Sequence, residues 1–178
     1  RIANGETYSS QNVATLTTGT RDNTTPLMKG TWSTTYALSK DTGTMTIDTD
    51  GWDASATIKQ GDVFTIDLVF AVNPVTKVTQ NYLQQFVVKA DVTANGTTTS
   101  STTLTISPPI ITSGAFQTVS AAALDNATIT IMGTASTGYS QNMVFRKNAF
   151  ALVMVPLIKP PGAVDVGRRS YKGFQVRV

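Results

Sequence analysis

The stretch KQGDVFTIDLVFAV, residues 59–72, decides the fold class. Lys59-Gln60-Gly61-Asp62 reads as a tight turn, because glycine accepts left-handed backbone angles and aspartate bonds readily to nearby amides. After it Phe64, Ile66, Leu68 and Phe70 fall on every second position, the period of a strand with one buried face. Asn73-Pro74 then ends the run, since proline has no N–H to give to a ladder.

The same punctuation repeats on both sides. Upstream, residues 31–38 alternate Trp32, Thr34, Tyr36 and Leu38, and Lys40-Asp41-Thr42-Gly43 turns into 44–49, which predicts a hairpin. Asp50-Gly51 turns the chain again and 54–58 is a short strand. Downstream, 75–83 reads as a polar loop anchored by Tyr82 and Leu83, followed by a strand over 84–93. Asn95-Gly96 is a strong two-residue hairpin signal leading into 97–107, with Leu104 and Ile106 inward. Pro108-Pro109 stops that pairing. Residues 116–119, a helical turn at 121–124 and a short strand at 127–132 with Ile129 and Ile131 follow. Strands at short intervals between Gly and Pro turns predict a mainly β chain, an antiparallel barrel or sandwich.

Composition agrees. The 178 residues suffice for one domain or two small ones with a real core. About thirty are threonine, whose β-branched side chain suits a pleated sheet. There is no Cys and no His, so disulfides, thiolate metal sites, ordinary zinc chemistry and the Ser-His-Asp or Cys-His nucleophile systems are excluded. No catalytic, cofactor-binding or metal residues are assigned, and an enzyme is not expected. The longest apolar run, within QNMVFRKNAFALVMVPLIKPPGA (residues 141–163), is cut by Arg146, Lys147, Pro156 and Lys159, so no membrane span is expected. Read alone, that run is a buried strand or strand pair with Phe145, Phe150 and Leu152 as core. The chain begins at Arg1 and stops in an alternating strand, Phe174-Gln175-Val176-Arg177-Val178, which reads as an internal piece of a longer protein.

Several residue groups suggest sites and have plainer readings. Gly61-Asp62 suggests a metal carboxylate with Asp67, but Asp after Gly at the start of a strand is turn chemistry. Asp48, Asp50 and Asp53 lack the closing bidentate Glu of a calcium loop, since Glu6 is the chain's sole Glu. Asn23, Asn95 and Asn126 each open an Asn-x-Thr triplet, expected by chance in so Thr-rich a chain. Trp32, Tyr36 and Trp52 could line a sugar platform, with core and rim packing as the simpler use. Charge is distributed unevenly. Through Phe145 there are 7 basic and 10 acidic residues; from Arg146 onward there are 7 basic (Arg146, Lys147, Lys159, Arg168, Arg169, Lys172, Arg177) against Asp165 alone. Arg168-Arg169 falls in a polar loop after Pro161-Gly162. Because guanidinium pairs carboxylates bidentately, Arg146, Lys147, Arg168, Arg169 and Lys172 are candidate subunit-contact residues. No aromatic residues interleave with Arg168 and Arg169, so packaged DNA would be met only non-specifically.

The order of several pieces resembles the major coat proteins of short-tailed DNA phages, a family whose capsid subunit carries an inserted β-barrel domain. The pieces are Gln60-Gly61-Asp62-Val63-Phe64, Val72-Asn73-Pro74, Leu83-Gln84-Gln85-Phe86-Val87-Val88 and Leu104-Thr105-Ile106-Ser107-Pro108, then Gln141-Asn142 with Phe145 to Phe150 and the Pro-Gly exit. The resemblance implies a structural protein of an icosahedral shell, with a β-barrel insertion over 31–133. Residues 1–30 and 134–178 would then be flanking segments of a tailed-phage capsid-fold body. It implies other copies of the chain, an assembly scaffold and a portal as partners, no cofactor, and a place in the virion capsid after assembly in the host cytoplasm. The short connection at Lys40-Asp41-Thr42-Gly43 leaves no room for the long inter-capsomer loop of some relatives. A rival of another class, a Thr-rich β-sandwich adhesin or carbohydrate-binding module of a secreted or tail-fibre protein, suits the composition equally and predicts exposed aromatics.

Overall fold

The computed structural model describes residues 8–21, 26–95, 100–145, 149, 151, 168–171 and 174–177. Its elements are β1 (Thr15–Thr17), β2 (Leu27–Met28), α1 (Tyr36–Ser39), β3 (Met45–Asp50), β4 (Thr57–Ile58), β5 (Val63–Val72), β6 (Thr79–Val88), β7 (Val92–Thr93), β8 (Thr102–Ser107), β9 (Ile129–Ile131), β10 (Gly138–Ser140), β11 (Arg168–Tyr171) and β12 (Phe174–Arg177). The chain divides into two compact units, Arg1–Gln141 and Asn142–Val178.

Six strands of the first unit form one antiparallel sheet in the order β2-β3-β8-β6-β5-β9. The sheet curls until its ends meet. Leu27 bridges Thr128, the Met28 amide donates to the Ala127 carbonyl (2.9 Å), and the Ile129 amide donates to the Pro26 carbonyl (2.9 Å). Of the two expected architectures, antiparallel barrel or sandwich, the fold is therefore the barrel, and closure removes the unpaired edges that an open sheet would expose.

Inward positions alternate as strand geometry requires. Ile47, Phe64, Ile66, Phe86, Val88, Leu104, Ile106 and Ile129 fill the interior with almost no exposure. Phe64 and Phe86 stand opposite in register, with ring centroids 5.7 Å apart. Trp52, Ala56, Ile58 and Ala94 extend the core beyond the end of β3; Ile110, Val119 and Ala123 extend it beyond the end of β8. Trp52 brings its polar atom into the core with a partner: Nε1 donates to Thr49 Oγ1 (2.8 Å), whose hydroxyl donates to the Thr102 carbonyl (2.8 Å).

The alternation along β5 breaks at a place the sequence pattern hides. Leu68 takes φ 62°, and the register with β6 shifts between Thr65 and Phe70. A bulge inserts one residue and so exchanges the faces of the strand beyond it. Phe64 and Ile66 are buried as expected, but Leu68 is 60% exposed and Val69 and Ala71 take the inward positions. Leu68→Gly should therefore change stability by no more than about 1 kcal/mol, because relief of the left-handed backbone offsets the entropy of glycine. Urea denaturation tests this; a loss of about 2–5 kcal/mol would mean that Leu68 is core after all.

Other expectations are corrected. The hairpin of 31–38 with 44–49 is absent: Trp32 bridges Ala123, Thr34 bridges Ile111, and Tyr36–Ser39 is a helical turn closed by Gly43 N–H on the Ser39 carbonyl. Alternation over four positions could not distinguish a strand from a turn whose Leu38 is 82% exposed. Residues 79–83 belong to β6 rather than to a loop. The Asn95 side-chain amide donates to the Ser101 carbonyl (2.9 Å) and β7 pairs with β4; the Gly96 position of the expected Asn95-Gly96 hairpin lies outside the described residues. Residues 121–124 form no helical turn, since Ala123 pairs with Trp32.

The first unit also reaches beyond 31–133 on both sides. β2 completes the ring, and β1 pairs with β10. A two-residue strand after Pro26 is too short to be recognised by periodicity. After β10, residues 141–145 join no strand. Met143, Val144 and Phe145 are 70%, 100% and 59% exposed, where burial of Phe145 was expected. Phe150 and Leu152 lie outside the described residues. In the second unit β11 and β12 form an antiparallel hairpin with Arg168 opposite Arg177 and Tyr171 opposite Phe174. Arg168 and Arg169 are thus in a strand rather than a polar loop, and the strand at 174–177 finds its partner immediately upstream.

Candidate functional site

The chain comes into the barrel and leaves it at one end. The incoming residues 15–21 and the outgoing residues 132–141 run beside each other through β1 and β10, next to the turn that opens β5. That turn is built as the sequence predicts. Gly61 takes φ +96°, the Asp62 amide donates to the Lys59 carbonyl (3.0 Å), and Asp62 Oδ2 accepts from the Lys59 amide (2.9 Å).

Asp62 also has a partner that sequence reasoning missed. Its side chain is 1% exposed, and Oδ2 lies 3.8 Å from Nε of Arg21, itself 3% exposed. Oδ2 accepts in addition from the Gly19 amide (3.3 Å), while Arg21 Nη1 and Nη2 donate to the carbonyls of Met132 (2.7 Å) and Thr134 (3.0 Å). Buried charges are costly unless paired; here the two charges offset each other, and Arg21 Nη1, Nη2 and Asp62 Oδ2 are hydrogen-bonded, while Arg21 Nε and Asp62 Oδ1 are buried without a hydrogen-bond partner. Nothing in the Thr-rich stretch around Arg21 marks it; the one signal was Asp62, which does cap its turn.

A cleft of about 310 Å³ opens beside this pair, lined by Leu16, Thr18, Asp62, Gln85, Met132 and Tyr139 among others. The Thr134 amide donates to the Tyr139 hydroxyl (2.7 Å), and this bond, with Arg21 nearby, holds the phenol below its ordinary pKa. On the outer side of the same turn, Asp91 accepts from the Gln60 amide (2.8 Å) and from Lys59 Nζ (2.8 Å). These two bonds, the Gln60 amide foremost, lower the Asp91 pKa below 3.8. A depressed carboxylate stabilises the fold above its unfolded pKa, and that contribution is lost as the pH falls through the folded value. An NMR titration should place Asp91 below 3.8, with the Gln60 amide shift following the same midpoint; a midpoint at or above that value would refute the contact.

The other candidate groups are dispersed. Asp62 faces Arg21 in the interior, whereas Asp67 Oδ1 accepts from the Leu68 amide at an exposed bulge, so the two carboxylates do not converge on one metal position. Asp48 accepts from Thr103 Oγ1, and no group of three or more acidic residues able to hold a metal ion occurs among the described residues. Trp52 is 2% exposed and Trp32 packs against the core with Nε1 on the Lys29 carbonyl (2.8 Å), so the two tryptophans serve packing and make no open platform. Tyr36 instead stacks on Phe116, with centroids 3.7 Å apart, at the end of the barrel where β5 finishes and β3 begins. Arg168 and Arg169 are placed on β11; Arg146, Lys147 and Lys172 lie outside the described residues.

No family model and no curated protein matches the chain. Among solved structures it is similar to the CUS-3 coat protein I-domain, with 28% sequence identity and a TM-score of 0.41, over 62% of this chain and 97% of that one.

Proposed function

We propose that this chain is part of the major capsid protein of a tailed double-stranded DNA phage, a subunit that self-assembles into an icosahedral shell and carries the barrel as an inserted domain. The observation that carries the reading is the place of the sequence pieces with coat-protein resemblance. Gln60-Gly61-Asp62-Val63-Phe64 forms the turn into β5, and Val72-Asn73-Pro74 ends it. Leu83-Gln84-Gln85-Phe86-Val87-Val88 lies in β6, and Leu104-Thr105-Ile106-Ser107-Pro108 spans β8 and its exit. Each piece therefore has a structural duty in one closed barrel, in the order the resemblance requires. Both connections of that barrel leave from one end, which suits insertion into a larger subunit. On this reading the partners are other copies of the chain, an assembly scaffold and a portal, and packaged DNA is met without sequence preference.

The basic residues of the second unit are proposed to bind carboxylates of a neighbouring subunit. Arg168→Ala combined with Arg169→Ala in the complete subunit should abolish particles in electron micrographs while leaving the circular dichroism and melting of the unassembled subunit unchanged. Normal particle yield at both low and high salt would remove these arginines from the contact, since an ion-pair interface weakens with ionic strength.

A further inference from the structure

From the geometry around Arg21 we infer that the neck of the barrel, residues 14–21 with 132–141, is a latch that opens as one unit while the barrel stays closed, and that Arg21 is the residue holding it shut. The ring of six strands is closed between Pro26 and Ile131, and the neck adds one bond to its ladder, the Met132 amide on the Val63 carbonyl (2.8 Å). The neck has its own ladder. The Thr18 amide donates to the Thr137 carbonyl (3.1 Å), Ser136 to Gly19 (2.9 Å) and Gln141 to Ala14 (2.9 Å). Thr18 Oγ1 donates to the Thr134 carbonyl (2.8 Å) and accepts from the Thr137 amide (3.0 Å).

These bonds join the two neck segments to each other; to the barrel they are joined by the Arg21 amide on the Thr57 carbonyl (3.2 Å), the Gly19 amide on Asp62 Oδ2 (3.3 Å) and the Arg21–Asp62 ion pair. Arg21 stands on the incoming segment, reaches two carbonyls of the outgoing segment with its planar fork, and sets its third nitrogen against Asp62 at the mouth of β5. Lysine could not reproduce this, because a single ammonium lacks the fixed geometry that spans Met132 and Thr134 together. Thr20 and Thr57 supplement it by exchanging amide-to-hydroxyl bonds (2.9 and 2.8 Å) at the neck's exposed side. Removing Arg21 would leave Asp62 buried without its cation, a condition that favours opening over closure. In a subunit of the proposed kind the latch would decide whether the barrel is held fixed by its two connections. The latch itself stands on the geometry alone, and its test does not depend on particle assembly.

Native-state hydrogen exchange on the intact chain, read residue by residue, distinguishes local from global opening. In Arg21→Ala the amides of Thr18, Ser136 and Gln141 should exchange about a hundredfold faster, while those of Met28 and Lys89, bonded inside the barrel, keep their wild-type rates. Unchanged exchange in the neck would show that Arg21 does not hold it. Equal acceleration of neck and barrel amides would show that the neck is no separate unit. Should Arg21→Ala fail to fold, Arg21→Lys decides: selective acceleration in the neck supports the latch, and wild-type neck exchange overturns it.

Discussion

Phe86→Ala is expected to lower the unfolding free energy by about 3–5 kcal/mol, the range for a large aromatic removed from a packed core. Phe86 has no exposed surface, stands opposite Phe64 across the β5–β6 pair and lies in the middle of the closed ring. A barrel has little means of collapsing around such a gap, because each strand is hydrogen-bonded on both sides and cannot shift without disturbing the next. Urea unfolding of the intact chain, followed by tryptophan fluorescence, measures the change directly. A loss smaller than about 1 kcal/mol would mean that residue 86 does not fill the interior.

The second large effect is expected at Gly19. Its α-carbon passes so close to β4 that an added Cβ would overlap the Thr57 carbonyl oxygen and approach its carbon to 2.7 Å. These are backbone atoms of a strand held by pairing to β7, not the yielding end of a side chain. Gly19→Ala should therefore cost about 3 kcal/mol, the upper part of the range for overpacked sites. Gly43→Ala provides the contrast. At that position φ is +62° and nothing lies within 4 Å, so the strain of the left-handed backbone alone, about 1 kcal/mol, is expected. Equal losses at the two positions would show that crowding at Gly19 is not the cause.

The barrel was legible in the sequence where a strand is long and has one buried face. Phe64 and Ile66, Phe86 and Val88, and Leu104 and Ile106 all point inward as their alternation predicts. It was illegible where tertiary pairing overrides local pattern. Leu68 fits the alternation of its strand, yet the bulge turns it outward; Tyr36 and Leu38 alternate with Trp32 and Thr34, yet belong to a helical turn. β2 has only two residues and is a strand because β3 and Thr128 flank it, information that no local window contains.

The candidate site was less legible still. Asp62 was read as a turn residue and is one, but its pairing with Arg21 joins positions 41 residues apart with no motif between them. Arg21 stands among threonines and asparagines, where a basic residue would ordinarily be solvated. Its burial follows from the neck folding back on the β5 turn. The basic residues at 168 and 169 stood out by charge alone, and their placement in a hairpin comes from pairing with 176 and 177.

Electron cryo-microscopy of particles assembled by the complete subunit should show a shell in which every subunit carries a six-stranded antiparallel barrel traced by residues 26–131, closed between Leu27 and Thr128, with both connections leaving from the end that holds Arg21 and Asp62. A complete subunit that yields only dispersed protein under assembly conditions, or a shell in which these residues form an open sandwich, would contradict it.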